Sequence, residues 1–337
     1  MSGVRRLFRI IWLPLAMAFS IDAAHAICLS MVATNISPST ANTGTYTPPS
    51  GLPGSQKVDI TVSGTYVSLL PGTCNGAIGF NRATLPASMA RTGGGATLPY
   101  TLQSLASGGN SLLFTGAGVP PPANRVAFSF PNPLLAGIPG TFSVTVSIFA
   151  QQQPAALQQA GAYSDSVTLR VMGVVSALQT EGVVGNFPFT VTGNVAKACT
   201  IGGVSTPGAD SATIPIGADG KVNTAPIAKS YANAGCNTPS NLQLTSKTGA
   251  VKTAAPIVAG FANLIDYTAA ASFSGANATV NTATVPTATG SESGTAVSTA
   301  GSTPAGTLSL TITPQSNTQP LLKGSYQDTL TITITPQ

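Results

Sequence analysis

At 337 residues the chain is long enough for two ordinary domains, yet only 7% of it is charged and its formal net charge is +5. Those few charges form no basic run that could track a phosphate backbone, so nucleic-acid binding is excluded. Hydrophobic residues make up 43% of the chain and alternate with polar ones in many segments, which excludes a disordered polypeptide.

The first residues read as an export leader. Arg5, Arg6 and Arg9 precede an apolar run over 10–21 that only Pro14 breaks, and Ala24, His25 and Ala26 form a small-x-small cleavage pattern. The run has about a dozen residues against the roughly 20 that a membrane-spanning helix needs, and no later stretch qualifies. Cleavage after Ala26 removes His25, the one histidine, and sends Cys28, Cys74, Cys199 and Cys236 to an oxidising compartment. Three pairings are possible. Cys28 with Cys74 and Cys199 with Cys236 keeps each bond inside one half of the chain, and each loop of roughly 40–50 residues would stabilise by about 4 kcal/mol. With no CxxC pair and no histidine left, neither a metal site nor a cofactor is expected.

Beyond the leader, alternation predicts strands at 58–62, 124–130, 140–146, 167–171, 187–191, 213–216, 241–244, 306–312 and 330–334. No segment has a helical period, and 36 glycines and 26 prolines supply turns. Three connections are unusually apolar. One carries Leu85 and Met89, one Val119 before three prolines, and one Leu134, Leu135 and Ile138 among Pro131, Pro133 and Pro139. Such loops either fold back to cap a sandwich or project an apolar patch for surface binding.

The chain repeats itself. Gly161, Tyr163, Asp165, Val167, Thr168, Leu169 and Val171 match Gly324, Tyr326, Asp328, Leu330, Thr331, Ile332 and Ile334 in type and spacing. Upstream, 140–146 matches 306–312, and Pro154 matches Pro320. Matching segments in the same order imply two homologous domains, 27–180 and 181–337, with the boundary near 179–185. Many short strands and turns in each predict β-sandwiches. Residues 269–306, rich in Ala, Thr, Ser and Gly, read as short, weakly specified strands and loops. The repeated Tyr163 and Tyr326, with Asp165 and Asp328, read as structural corners in which the tyrosine packs over the core and bonds nearby backbone.

Catalytic chemistry finds no support. Without histidine beyond the leader there is no Ser-His-Asp or Cys-His arrangement. Two carboxylates could in principle form a glycosidase pair, but Asp165 and Asp328 are repeat equivalents with a structural job. No SxxK motif occurs, and Gly93, Gly94 and Gly95 are not followed by Lys and Ser or Thr. The reading is therefore a non-enzymatic binding or structural protein.

The Gly-x-Tyr-x-Asp-x-apolar-Thr-apolar-x-apolar ending, with Ala198-Cys199-Thr200-Ile201 and Gly235-Cys236-Asn237-Thr238-Pro239, resembles the spore coat protein U domain. That family includes subunits of archaic chaperone–usher pili. The resemblance extends across the second domain; in the first it rests on 140–172 and on Cys28 and Cys74. It implies tandem immunoglobulin-like β-sandwiches, the second lacking its final strand, with Leu330, Ile332 and Ile334 lining a groove that an adjacent pilin subunit fills by strand addition. Residues 174–178 could close the first domain, whereas the sequence stops soon after Ile334. Cys28 follows the cleavage site at once, which leaves no free extension to donate. The resemblance therefore implies an exported tip adhesin, helped by a periplasmic chaperone and an outer-membrane usher. It would attach cells to abiotic or host surfaces, as in biofilms. A secreted coat or matrix protein of the same family is the alternative. A carbohydrate-binding module is a third reading, weakened because Trp12 of the leader is the one tryptophan.

Overall fold

The structure, a computed structural model, describes residues 28–49, 53–104, 109–133, 137–153, 157–175, 180–203, 208–284 and 290–337. The leader with its cleavage site, Leu134, Leu135, Pro154 and residues 176–178 lie outside the described residues.

The regular structure is nearly all β. The first strands are β1 (Cys28–Ser37), β2 (Thr40–Tyr46), β3 (Gln56–Ser68), β4 (Gly72–Asn81), β5 (Ser88–Arg91) and β6 (Thr97–Gln103). After them come β7 (Leu113–Phe114), β8 (Val126–Asn132), β9 (Pro139–Gln152), β10 (Gly161–Val174) and β11 (Glu181–Val195). One layer runs β1-β3-β9-β6, and the other places β4 and β11 beside β10, with β8 outside β4 and β2 outside β11. The short β5 pairs with both β6 and β10 and so joins the layers. Alternating residues of both layers meet in one core around Phe80, Leu98, Ile148, Leu169 and Phe189, all essentially inaccessible.

The remaining strands build a second set of layers. These are β12 (Cys199–Thr200), β13 (Ile227–Cys236), β14 (Ser240–Ser246), β15 (Val251–Thr253), β16 (Leu264–Ile265) and β17 (Tyr267–Phe273). Then follow β18 (Ala276–Asn281), β19 (Glu292–Ser293), β20 (Val297–Ser298), β21 (Thr303–Pro314), β22 (Tyr326–Gln327) and β23 (Leu330–Pro336). One sheet has the order β12-β13-β21-β17-β18. The facing one pairs β14 with β19, β20 and β23, and a small third sheet is β16-β15-β22. Their core is separate, built on Leu242, Leu244, Tyr267, Phe273, Leu308 and Leu310. Residues 269–306 hold β17, β18 and the start of β21, and Ala269, Ala271 and Phe273 are core residues. Small side chains there let the two layers approach closely.

Each half is stapled by its own disulfide, Cys28–Cys74 and Cys199–Cys236. Two expectations change. Residues 213–216 form no strand; only an isolated bridge joins Ile216 to Val222. And β11, placed by the repeat at the head of the second domain, is paired with β10 along its whole length, from Gly161↔Val195 to Val174↔Glu181. Phe189, Val191 and Val195 of β11 are buried in the first core. By pairing and burial the first unit therefore runs to Val195, and the strand that closes it is β11 rather than residues 174–178, of which Val174 ends β10.

Candidate functional site

The repeat allows a direct comparison of one strand in two settings. In the first unit Val167, Leu169 and Val171 of β10 are buried, because β11 covers one edge and β4 the other. Their counterparts Leu330, Ile332 and Ile334 lie on β23, where apolar residues are only partly buried and Thr331, Thr333 and Thr335 are exposed. One edge of β23 is laddered to β14 from Ser240↔Pro336 to Ser246↔Leu330. Among the described residues no strand pairs with the other edge.

Beside that edge is a cleft of about 1070 Å³. Leu330 and Ile332 form one wall, and Leu308, Leu310, Ile312 and Ile227 contribute its apolar floor. Ile334 does not line it; it packs against the second core. The opposite wall is residues 208–214 and Ile216. Counted from the first cysteine of each unit, that segment corresponds to β2 of the first unit. There β2 lies parallel to β11, from Thr190↔Thr40 to Val195↔Tyr46. In the first unit the closing strand is thus held between β10 and β2. In the second, both flanking segments stand in place with no described strand between them, which is why 208–216 makes no ladder.

The corners fix the cleft's end. Tyr163 donates its hydroxyl hydrogen to the Gln159 carbonyl at 2.6 Å, and Tyr326 reaches the Leu322 carbonyl, also four residues back, at 2.8 Å. Asp165 accepts from Arg82 Nε at 2.6 Å and from the Tyr100 hydroxyl at 2.7 Å. Asp328 accepts from the hydroxyls of Ser246 and Tyr267, each at 2.6 Å, and from the Thr248 backbone N–H at 3.0 Å. Burial alone would raise the Asp328 carboxyl, but the donors from Ser246, Tyr267 and Thr248 together outweigh it and hold its pKa below the ordinary value. Burial, then the bond to the carboxylate, pushes the phenols of Tyr267 and Tyr100 strongly upward. These carboxylates are committed to holding strands. Sequence reasoning missed Tyr100 and Tyr267. The Tyr-Thr pairs at 100–101 and 267–268 were the available signal.

The apolar loop residues separate. Leu85 and Val119 are exposed, and Ile138 is 50% exposed. Met89, expected in the same exposed set, is 0% exposed, because β5 crosses between the layers and turns it into the core. Two residues not expected, Leu69 and Leu70, are exposed beside Ile138. There the Gly137 N–H donates to the Ser68 carbonyl at 2.8 Å and Asn132 Nδ2 to the Leu70 carbonyl at 2.9 Å. The neighbouring Pro71 and Gly72 were a legible loop signal. Ile138 and this hairpin sit where β4 begins. Leu85 and Val119 belong to the loops where it ends: Asn81 Nδ2 donates to the Gly116 carbonyl, and Arg82 to the Thr84 carbonyl. Ten extended residues span about 30 Å, so the loops do not form a single patch. Among the described residues no three His, Cys, Asp or Glu side chains group as for a metal, and no helix is long and apolar enough to cross a membrane.

No family model and no curated protein matches the chain. Several solved structures do. A chain of the Acinetobacter baumannii CsuC–CsuE chaperone–tip adhesion subunit pre-assembly complex, from archaic chaperone–usher Csu pili, is 11% identical, with a TM-score of 0.40 over 88% of this chain and 97% of that one. The CupB6 tip adhesin of Pseudomonas aeruginosa is 9% identical, with a TM-score of 0.28 over 92% and 94%. CfaE, the adhesive subunit of CFA/I fimbria of enterotoxigenic Escherichia coli, is 11% identical, with a TM-score of 0.29 over 90% and 94%. These likenesses are loose, and what the cleft does is argued below from its own residues.

Proposed function

We propose that this chain is a non-enzymatic pilus tip subunit: its second unit accepts a strand from an adjacent subunit and its first unit attaches the cell to a surface. The observation that carries this is the contrast between β10 and β23. The same repeated strand is covered by β11 in one unit and stands beside an open apolar cleft in the other. A cleft flanked by an unpaired strand edge calls for an extended backbone with alternating apolar side chains. The first unit supplies an example of such complementation within one chain. The strand that closes it, β11, is also the segment that leads directly into Cys199 of the second unit. Left open, the cleft invites edge-to-edge aggregation. That supports a need for a periplasmic chaperone before delivery through an outer-membrane usher, and it fits the sequence resemblance of this unit to spore coat U pilins.

For attachment, the exposed Leu69, Leu70 and Ile138 favour the disulfide pole of the first unit. That pole lies at the Val174 end of β10, away from the Gly161 end where the second unit begins. Abiotic or host surfaces of apolar character are the expected ligands.

The test appends a copy of the 185–195 sequence after Gln337 through a short flexible linker, so that it can turn back antiparallel to β23. Burying side chains such as Phe189 and Val191 contributes about 1.5–3 kcal/mol each. A net gain of about 4 kcal/mol after ordering costs raises the melting midpoint of the second unit by roughly 10–15 °C. An unchanged midpoint, with unchanged amide protection in β23, removes the strand-acceptor reading and leaves the secreted coat or matrix protein in its place.

A further inference from the structure

Ile257 is 81% exposed, the most exposed large apolar side chain among the described residues, and Val258 and Phe261 beside it are exposed as well. All three lie in the connection between β15 and β16, residues 254–263. The connection is held at its far end: the Ala262 N–H donates to the Pro320 carbonyl at 2.9 Å, and the Ala262 carbonyl accepts from the Leu322 N–H at 2.9 Å and the Tyr326 hydroxyl at 3.1 Å. It therefore sits at the corner end of the cleft.

The repeat shows what occupies the same place in the first unit. β5 corresponds to β15, since each pairs with the strand carrying the corner tyrosine, through Tyr163↔Arg91 and Thr253↔Tyr326. At that corner end lies the body of the second unit. The Ala160 N–H donates to the Asn237 carbonyl at 2.9 Å, and Gln159 Nε2 to Ser302 Oγ at 3.3 Å. The Asn237 side chain takes up the chain as it leaves β11, donating to the Ala196 carbonyl and accepting from the Ala198 N–H, each at 2.8 Å. The closing strand ends at the corner, and the body that follows it packs there.

We propose that residues 254–263 are the docking surface for the body of the subunit whose leading strand fills the cleft, with Ile257, Val258 and Phe261 as its apolar contacts. This rests on the strand-acceptor reading. The two units differ here in a way that fits. The first unit's equivalent connection is Thr92, Gly93, Gly94, Gly95 and Ala96, without a large apolar side chain. Its partner body is covalently attached, so its effective concentration is already high. A partner that arrives as a separate molecule loses translational and rotational freedom, and extra apolar contact area offsets that loss.

The test isolates the full chain with its bound partner from the cells that make it and follows amide hydrogen exchange in β23 and in 254–263, with the free chain as reference. Protection of both segments is expected. The double variant Ile257→Ser, Phe261→Ser should keep β23 protected while the partner leaves at least ten times faster. Protection of β23 with none over 254–263, or an unchanged departure rate in the variant, overturns this inference and leaves strand acceptance standing. Absence of β23 protection, or recovery of the chain only as a free monomer, removes both.

Discussion

The open cleft predicts that one chemical change costs differently in the two halves of the repeat. Leu169→Ala and Ile332→Ala each remove three carbons from equivalent positions. Leu169 is 0% exposed and roofed by β11, so truncation leaves a closed cavity and should cost about 3–5 kcal/mol. Ile332 is only partly buried and faces a cleft that is already open. Its truncation creates little new void and loses only part of the transfer energy, about 1–1.5 kcal/mol. Urea unfolding followed by hydrogen-exchange mass spectrometry reads each unit from its own peptides within the full chain. When the 185–195 copy is appended after Gln337, the Ile332→Ala cost should rise to about 3 kcal/mol, because the cleft has become a core. Equal costs for the two variants without the appended strand would show that β23 is already covered, and the reasoning from exposure would fail.

Two further outcomes follow from the site geometry. The Asp328 carboxyl has a depressed pKa in the folded chain, so its contribution is present above the ordinary aspartate value near about 4 and is lost as pH falls through the lower folded value. Asp328→Asn should lower the second unit's stability at neutral pH and flatten its acid limb below about pH 4, read by acid titration of unfolding; an unchanged acid limb would count against it. Ile138→Ser should leave stability within about 0.5 kcal/mol and weaken adhesion to polystyrene, whereas Met89→Ala should cost about 2–5 kcal/mol, and a reversed pattern would reject the exposure assignment.

The strands that alternate strictly were legible, because a half-buried strand writes its burial into every second residue. Val167, Leu169 and Val171 point inward as their spacing requires. The repeat made Tyr163 and Tyr326 legible as a corner, since a tyrosine two residues before an aspartate recurs at matching places. Other features were illegible for physical reasons. Residues 213–216 alternate like a strand, but a strand also needs a partner, and their counterpart β2 is laddered only because β11 lies beside it. Met89 and Leu85 look alike in a proline-containing segment, and only the crossing of β5 between layers separates core from surface. β11 was placed with the wrong unit because chain order is not pairing order: a segment that leads into one unit can complete its neighbour.

The corner chemistry also bears on whether the cleft can stay open without its occupant. An apolar cleft collapses if the strand beside it is free to tilt inward. β23 is restrained on the side away from the cleft by its full ladder to β14, so its position does not depend on a strand within the cleft. Ahead of it, Asp328 is tied to β14 through Ser246, to the start of β17 through Tyr267, and to the backbone at Thr248. The corner tyrosine closes its own turn on Leu322. These contacts are made by groups that a closing strand never touches, so the acceptor edge is set before any partner arrives. Preorganisation of this kind lowers the ordering cost that an incoming strand must overcome. It also explains why the repeat keeps tyrosine and aspartate in both units while the strand that covers them differs: the corner holds the frame, and the frame serves equally a strand from the same chain and one from another.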